Sequence, residues 1–508
     1  MKKRKRLISM VILMLSGFIV ASGQENTQAL TFEEALQIMT KQNPGLQQAK
    51  QQIKQKEYEL KAKKGLYMPH VSLSANAVTM SDMLHLDLTP VKNAITPLYT
   101  TLGNYGVFSG VPNPDPATNQ AVPILPDNLS TSAVREKLRA AGEEIDNANW
   151  DEVIQEKNFA TVSADLSWPI FTGGKIKGAN DAANTELTIS KEELRKTEGD
   201  LLTELATRYY GLTLSMQVLN VRKQMFEAAD KHYIDAQKLF DNGMIAKVEL
   251  LHAKVSRNEA ERALKEAERN ISIIRSGLEA TLSLDTTVTI LPASNLFMNK
   301  ELSDVSFWIN KAYDENPQLK QIEGKKDLVD IKNKVNKGSY LPSVAMLGTY
   351  NLADKNLSPY VPDWMVGVGL RWSLFEGLGR QNTLKASKTM ESQVNYANQK
   401  AHEDIKAYLT KLYETLQMQI EQKNELESTL ELAEEYSEST QKAFNEGLAT
   451  STSVVEAYTK VAQVKALRLK VFYDYDVTLA TLLQTAGVPE QYIQFCAGNN
   501  TIVESLTK

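Results

Sequence analysis

A proline inside a helix costs a hydrogen bond, and this chain holds none between Pro169 and Pro292 or between Pro362 and Pro489. Both stretches are rich in Ala, Leu, Glu, Lys and Gln, which favour helix. In the first, Leu187, Leu194 and Leu201 form one row at seven-residue spacing, and Leu205, Leu212, Leu219, Phe226, Tyr233 and Phe240 form another. Beyond Gly243 the rows Leu250, Leu264, Ile271, Leu278 and Ala253, Ala260, Ala267, Ile274 resume the period. The second stretch repeats it with Ile405, Leu412, Leu426 and Ala433, Gln419 being a break. A sustained heptad predicts coiled-coil-like packing. Each stretch is split once by a glycine turn, Asp241-Asn242-Gly243 or Asn445-Glu446-Gly447, and glycine just past a helix end is a stop signal. Each therefore reads as a long helix, a tight turn and a returning helix. The first helix, Lys175 to Phe240, would reach about 100 Å at ~1.5 Å per residue, more than an ordinary globular domain accommodates.

The two stretches belong to an internal duplication. Asn43-Pro44 and Asn316-Pro317 each follow an amphipathic helical start, Leu30 to Gln42 and Leu302 to Glu315, at an offset of 273. Tyr67-Met68-Pro69 and Tyr340-Leu341-Pro342 keep that offset. Trp168-Pro-Ile-Phe171 and Trp372-Ser-Leu-Phe375 stand 204 apart, as do Phe240-Asp-Asn-Gly243 and Phe444-Asn-Glu-Gly447. Two constant offsets mean one insertion of 69 residues in the first copy, between Pro69 and Trp168. Seven of the sixteen prolines, Pro90 to Pro126, fall in it, so the 79–157 segment reads as an extracellular, outer-surface loop joining two strands. The expected plan is a first repeat over 24–292, with a β-hairpin at 70–172 and a helix hairpin at 175–284. A linker at 293–302 leads to a second repeat over 303–488, with a β-hairpin at 342–376 and a helix hairpin at 378–486. A tail at 489–508 ends the chain.

Residues 1–23 read as a signal peptide. Lys2 to Arg6 are basic, Leu7 to Val20 are apolar, and Ala21 and Gly23 suit signal peptidase. An uncleaved anchor is the alternative, but the apolar run falls short of the ~20 residues a spanning helix needs. Removing the leader's five positive charges takes the formal charge from −5 to −10, which argues against nucleic-acid binding. The single cysteine, Cys496, excludes an intrachain disulfide. No other long apolar run occurs, so membrane insertion would have to use β-strands.

Four segments alternate with period two. Val71, Leu73, Ala75 and Ala77 alternate with polar residues, and so do Ala160, Val162, Ala164, Leu166, Trp168 and Ile170. Val344, Met346 and Tyr350 share a face with Gly348, and Trp364, Val366, Val368, Leu370, Trp372 and Leu374 make the fourth run. Each is ~10 residues, the length of a tilted membrane strand. Asp165 and Arg371 fall on the opposite face, as a wet lumen requires, and Trp168 and Trp372 take matching positions for an interfacial aromatic girdle. Four strands cannot close a barrel, and open edges are not tolerated in lipid. Several chains must then share one barrel; two, three or more would satisfy the physics.

Repeat-related β-hairpins, two very long helices, a Gly-centred turn in each half and the Trp168-to-Gly174 junction run together resemble the TolC-like outer-membrane factors. The resemblance spans roughly Leu30 to Gly487. It implies a mixed fold, a long coiled-coil helical barrel with a shared 12-stranded trimeric β-barrel set in outer-membrane lipid. It also implies an exit duct of a tripartite efflux or type I secretion system, working with a periplasmic adaptor (a membrane fusion protein) and an inner-membrane transporter. The glycine turns become adaptor-docking tips, with Gly243, Met244, Ile245, Gly447, Leu448 and Ala449. Positions where the family often carries acids hold Glu249, Ser453 and Glu456, an expected pore constriction that is acidic at two of the three. The family's polar latch positions hold Phe444 and Ala449, so that latch is not expected here.

Enzymatic motifs are missing. His402-Glu403 is not followed by the second histidine of a zinc motif, and Gly174-Lys175 lacks the first glycine of a phosphate loop. No catalytic residue, metal or cofactor is expected. Two other readings are a stand-alone porin, which would lack the long helices, and a periplasmic coiled-coil scaffold or adaptor, which would lack the strands.

Overall fold

The computed structural model describes residues 26–284, 288–497 and 501–504; the signal peptide expected at 1–23 lies outside them. The first repeat runs β1 (Asn26–Leu30), α1 (Phe32–Gln42), α2 (Pro44–Lys64), β2 (His70–Thr79), β3 (Leu84–Asp87), α3 (Thr89–Tyr105), α4 (Asp127–Asn147), β4 (Asp151–Gln155), β5 (Asn158–Phe171), α5 (Lys175–Asp241) and α6 (Lys247–Leu282). Next come β6 (Val288–Pro292) and β7 (Leu296–Asn299). The second repeat runs α7 (Val305–Glu315), α8 (Pro317–Gly338), β8 (Ser343–Lys355), β9 (Trp364–Arg371), α9 (Gly379–Asn445) and α10 (Ser451–Thr485), followed by α11 (Tyr492–Cys496) and β10 (Thr501–Glu504). The long helices α5 and α9 both hold 67 residues. No described helix is long and apolar enough to cross a membrane.

The repeated landmarks have repeated jobs. The Asn43 side chain accepts from the Gly45 and Leu46 amides that open α2 and donates to the Thr281 carbonyl in the last turn of α6. Asn316 does the same, accepting from Gln318 and Leu319 and donating to the Thr485 carbonyl at the end of α10. One amide thus satisfies a helix start and a helix end, both of which carry orphan backbone groups. Trp168 donates its indole N–H to the Tyr67 carbonyl, and Trp372 donates to the Tyr340 carbonyl, each at 3.0 Å. The Trp and Tyr-x-Pro landmarks are two ends of one hydrogen bond in each copy.

The chain divides into two compact units. The sheet unit, Lys64–Lys177 and Val335–Arg380, is built on an antiparallel sheet in the order β2-β5-β8-β9. The insertion is a correction to the loop expected at 79–157, because it folds into the β3–β4 ribbon and the helices α3 and α4. Its prolines misled because two of them start helices. Pro90 lies in the first turn of α3, where its missing N–H has no intrahelical partner to lose, and Pro126 caps α4. Only Pro97 lies inside a helix. A smaller correction concerns Trp372, which follows β9 rather than lying in it.

The helical unit comprises the described residues up to Lys63, those within Gly178–Lys334 and those from Gln381 onward. A capping box starts α1, with Thr31 Oγ1 accepting from the Glu34 amide and Glu34 accepting from the Thr31 amide. β1 pairs with β6 in parallel and β7 with β10 antiparallel. The segments expected as linker and tail therefore carry structure. Their rings join Phe32, Tyr209 and Tyr210 in one aromatic core, through Phe297 and Tyr492.

Candidate channel tips and membrane strands

The two glycine turns end α5 and α9 in the same way. Gly243 and Gly447 have φ of +76° and +77°, which a side chain disfavours. The Met244 amide donates back to the Leu239 carbonyl and Gly243 to Phe240; Leu448 donates to Ala443 and Gly447 to Phe444. Both are Schellman stops, which reverse the chain in a few residues. Met244 and Leu448, at 62% and 78% exposure, stand out from the turns. Ile245 and Ala449 turn inward onto a small core of Ala229 and Ala236 of α5, Ala253 and Ala260 of α6, Phe444 of α9, and Val454 and Tyr458 of α10.

The three expected constriction residues do not share one environment. Ser453 lies in the first turn of α10, and Glu249, in the first turn of α6, bonds to the same helix start. Thr450 caps that helix by accepting from the Ser453 amide, and the Ser453 and Thr450 hydroxyls share a hydrogen bond. The Glu249 carboxylate, reaching across from α6, accepts from the Ser451 amide at 2.8 Å. A carboxylate at a helix N-terminus satisfies an orphan donor and meets the positive end of the helix dipole. Glu456 is exposed one turn further along, with no hydrogen-bond or ion-pair partner among the described residues.

Two residues the sequence reading passed over complete this arrangement. His232 of α5 is fully buried; its Nε2 shares a 2.7 Å hydrogen bond with the Ser451 hydroxyl, and its ring meets Phe444 edge-on at 4.7 Å. Burial holds its pKa down, to about 4. Ser451, also fully buried, is thus tied to α5 through its hydroxyl and to α6 through its amide. This serine joins the second turn to the first. The available signal was spacing: His232 falls three residues after Ala229 and four before Ala236, on one helix face.

In the sheet, Trp364, Val366, Val368 and Leu370 of β9 all expose their side chains in the single chain, as do Val71 and Leu73 of β2. Trp168 and Trp372 keep exposed rings while their N–H groups are satisfied, the arrangement that suits indole at a membrane interface. On the other face Asp165 accepts from Ser74 and Thr349, so its charge is held by neighbours on β2 and β8.

A family model described as "Outer membrane efflux protein" matches residues 128–283 and 308–488, more than half of the chain. The chain belongs to the outer membrane efflux protein family. Solved structures share its fold. The outer membrane protein VceC of Vibrio cholerae, at 13% identity, is covered over 96% of its length and covers 90% of this chain, with a TM-score of 0.65. The Campylobacter jejuni CmeC outer membrane channel, also 13% identical, covers 90% of this chain over 86% of its own, with a TM-score of 0.65. A membrane protein from Pseudomonas aeruginosa, at 11% identity, covers 96% of both chains with a TM-score of 0.68. No curated protein matches by sequence. Membership makes this an outer-membrane efflux channel extending into the periplasm, a passive conduit and not an enzyme.

Proposed function

We propose that the chain is the exit duct of a tripartite efflux or type I secretion assembly. It would act as a homotrimer that receives substrate from an inner-membrane transporter through a periplasmic adaptor. The observation that carries this is the open sheet. β2 and β9 are its free edges and run antiparallel to each other. The β9 edge of one copy can therefore continue onto β2 of the next, and three copies would close twelve strands with no edge left in lipid. A stand-alone porin has no use for two 67-residue helices ending in Schellman turns.

The exposed Met244 and Leu448 give the adaptor an apolar contact at each tip. Met244→Glu with Leu448→Glu should abolish adaptor copurification and transport while heat-resistant oligomers persist in the outer membrane. Retained copurification would remove the tips from the docking surface. Around a common axis, Glu456 would form the acidic ring of the constriction, since Glu249 is engaged by Ser451. Such a ring concentrates cations. Glu456→Gln should lower cation selectivity in planar bilayers, and unchanged selectivity would place the constriction elsewhere.

A further inference from the structure

The insertion carries an apolar face that its own chain leaves open. β3 carries Leu84 and Leu86 two residues apart, with a register irregularity against β4 after Leu84, and Leu88 follows the strand at the start of α3; the three are 54%, 48% and 40% exposed. His85, between the first two, lies within 3.3 Å of Asp151. Among the described residues β3 pairs with β4 alone, which leaves its other edge without a strand. An exposed apolar edge strand is a template for pairing, which proteins ordinarily blunt or cover.

The topology says what lies beside it. β3 follows β2, the free edge of the main sheet, after four residues. If β9 of the next copy continues β2, the residues just before its Trp364 lie alongside the residues just after Thr79. Those residues form a firm turn. The Val361 amide donates to the Ser358 carbonyl, and the Asn351 amide donates to the Asp363 carbonyl. Within its own chain the turn is gripped by Gln155 at the end of β4, which donates to the Asn356 carbonyl and accepts from the Ser358 amide. That grip leaves Tyr360 at 69% and Val361 at 39% exposure.

We propose that the Leu84, Leu86 and Leu88 face is a contact between copies, covered by the Tyr360–Val361 turn of the next copy. The insertion is then a clasp that locks the oligomer beyond the end of the strands. The proposal rests on the oligomeric reading above and on the β9-to-β2 closure.

Co-expression of two versions of the chain tests it, one with Leu86→Cys and the other with Tyr360→Cys. Mild oxidation should give a covalent dimer that needs both versions and is absent when either is expressed alone. Heat-resistant oligomers without that mixed dimer would overturn the clasp and leave the duct reading intact; absence of any oligomer would overturn both. A dimer from Leu86→Cys alone would also overturn it, by placing the three faces against each other. As a second measurement, Leu84→Asp with Leu86→Asp should lower the temperature at which oligomers dissociate. An unchanged dissociation temperature would assign the face to lipid or to another partner and overturn the proposal.

Discussion

The helical unit is held by two cores of opposite make. One is aromatic: Phe32, Tyr209, Tyr210, Phe297 and Tyr492 pack at ring distances of 5.2 to 6.4 Å, drawn from α1, α5, β7 and α11. The other, at the tips, is largely alanine, with Ala229, Ala236, Ala253 and Ala260 under Phe444, Val454 and Tyr458. An aromatic ring buries ~150–250 Å² and locks its neighbours. Alanine lets helices approach closely but removes little area from water, at ~25 cal/mol per Å². The long helix α5 is thus anchored at one level and lightly held at the other, an arrangement that would let its turn end move without unfolding the rest.

The largest effect should come from the anchor. Tyr492→Ala removes ring contacts to Phe32, Tyr210 and Phe297, and the hydroxyl that donates to the Asp476 carbonyl at 3.1 Å. The expected loss is ~3–5 kcal/mol, measured by denaturant unfolding of the solubilised protein and by the amount reaching the outer membrane. A loss below about 1 kcal/mol would remove the contrast between the cores. Next is Ala236→Leu at the fully buried tip seam. Overpacking should cost ~1–3 kcal/mol, and the strain should appear as raised conductance before it appears as loss of protein. Equal damage to folding and no change in conductance would mean that the tip core is as rigid as the anchor.

The two cores also differ in how readily they could be read from sequence. The long helices, glycine stops and strands announce themselves, because periodicity and proline placement are local properties. The aromatic core does not. Phe297 lies in what reads as a linker and Tyr492 in what reads as a tail, and only long-range pairing of β7 with β10 gives those segments a role. Glu249 was legible as an acid near a turn, but its use depends on an amide 202 positions away. The insertion misleads for a different reason: proline density marks loops and helix starts alike.

Opposite pH responses should separate the cores further. The Asp476 side chain, fully buried beside the aromatic core, accepts only a long contact from the Phe297 amide among the described residues, and burial pushes its pKa well up. A carboxyl raised in the folded state takes up a proton on folding, so its contribution falls as pH rises from about 3.9, the unfolded value, towards the folded one. Asp476→Asn should therefore raise the melting temperature at pH 7 to 8 and lose that advantage near pH 4. An advantage that persists at pH 4 would point to packing rather than proton uptake.

The smallest effect expected is at the tip, where the sign reverses. His232 is buried as the neutral imidazole, facing Ser451 on α10 and Phe444 on α9; the charged or titratable groups acting on it are Asp235 on α5 and Glu249 and His252 on α6. The two carboxylates favour the imidazolium, but desolvation outweighs them and brings the pKa to about 4. The unfolded or splayed state, with a pKa near 6.5, binds the proton first. The His232–Ser451 bond is complete above about pH 6.5 and weakens as pH falls towards 4, by at most about tenfold per pH unit in the opening equilibrium. Acidification of the periplasmic side should then raise single-channel conductance over that window. His232→Gln keeps a group able to bond Ser451 but cannot titrate, so its conductance should be flat between pH 6.5 and 4. If the variant follows the wild type through the window, the acid response belongs to other groups, and the His232–Ser451 bond does not set the opening equilibrium.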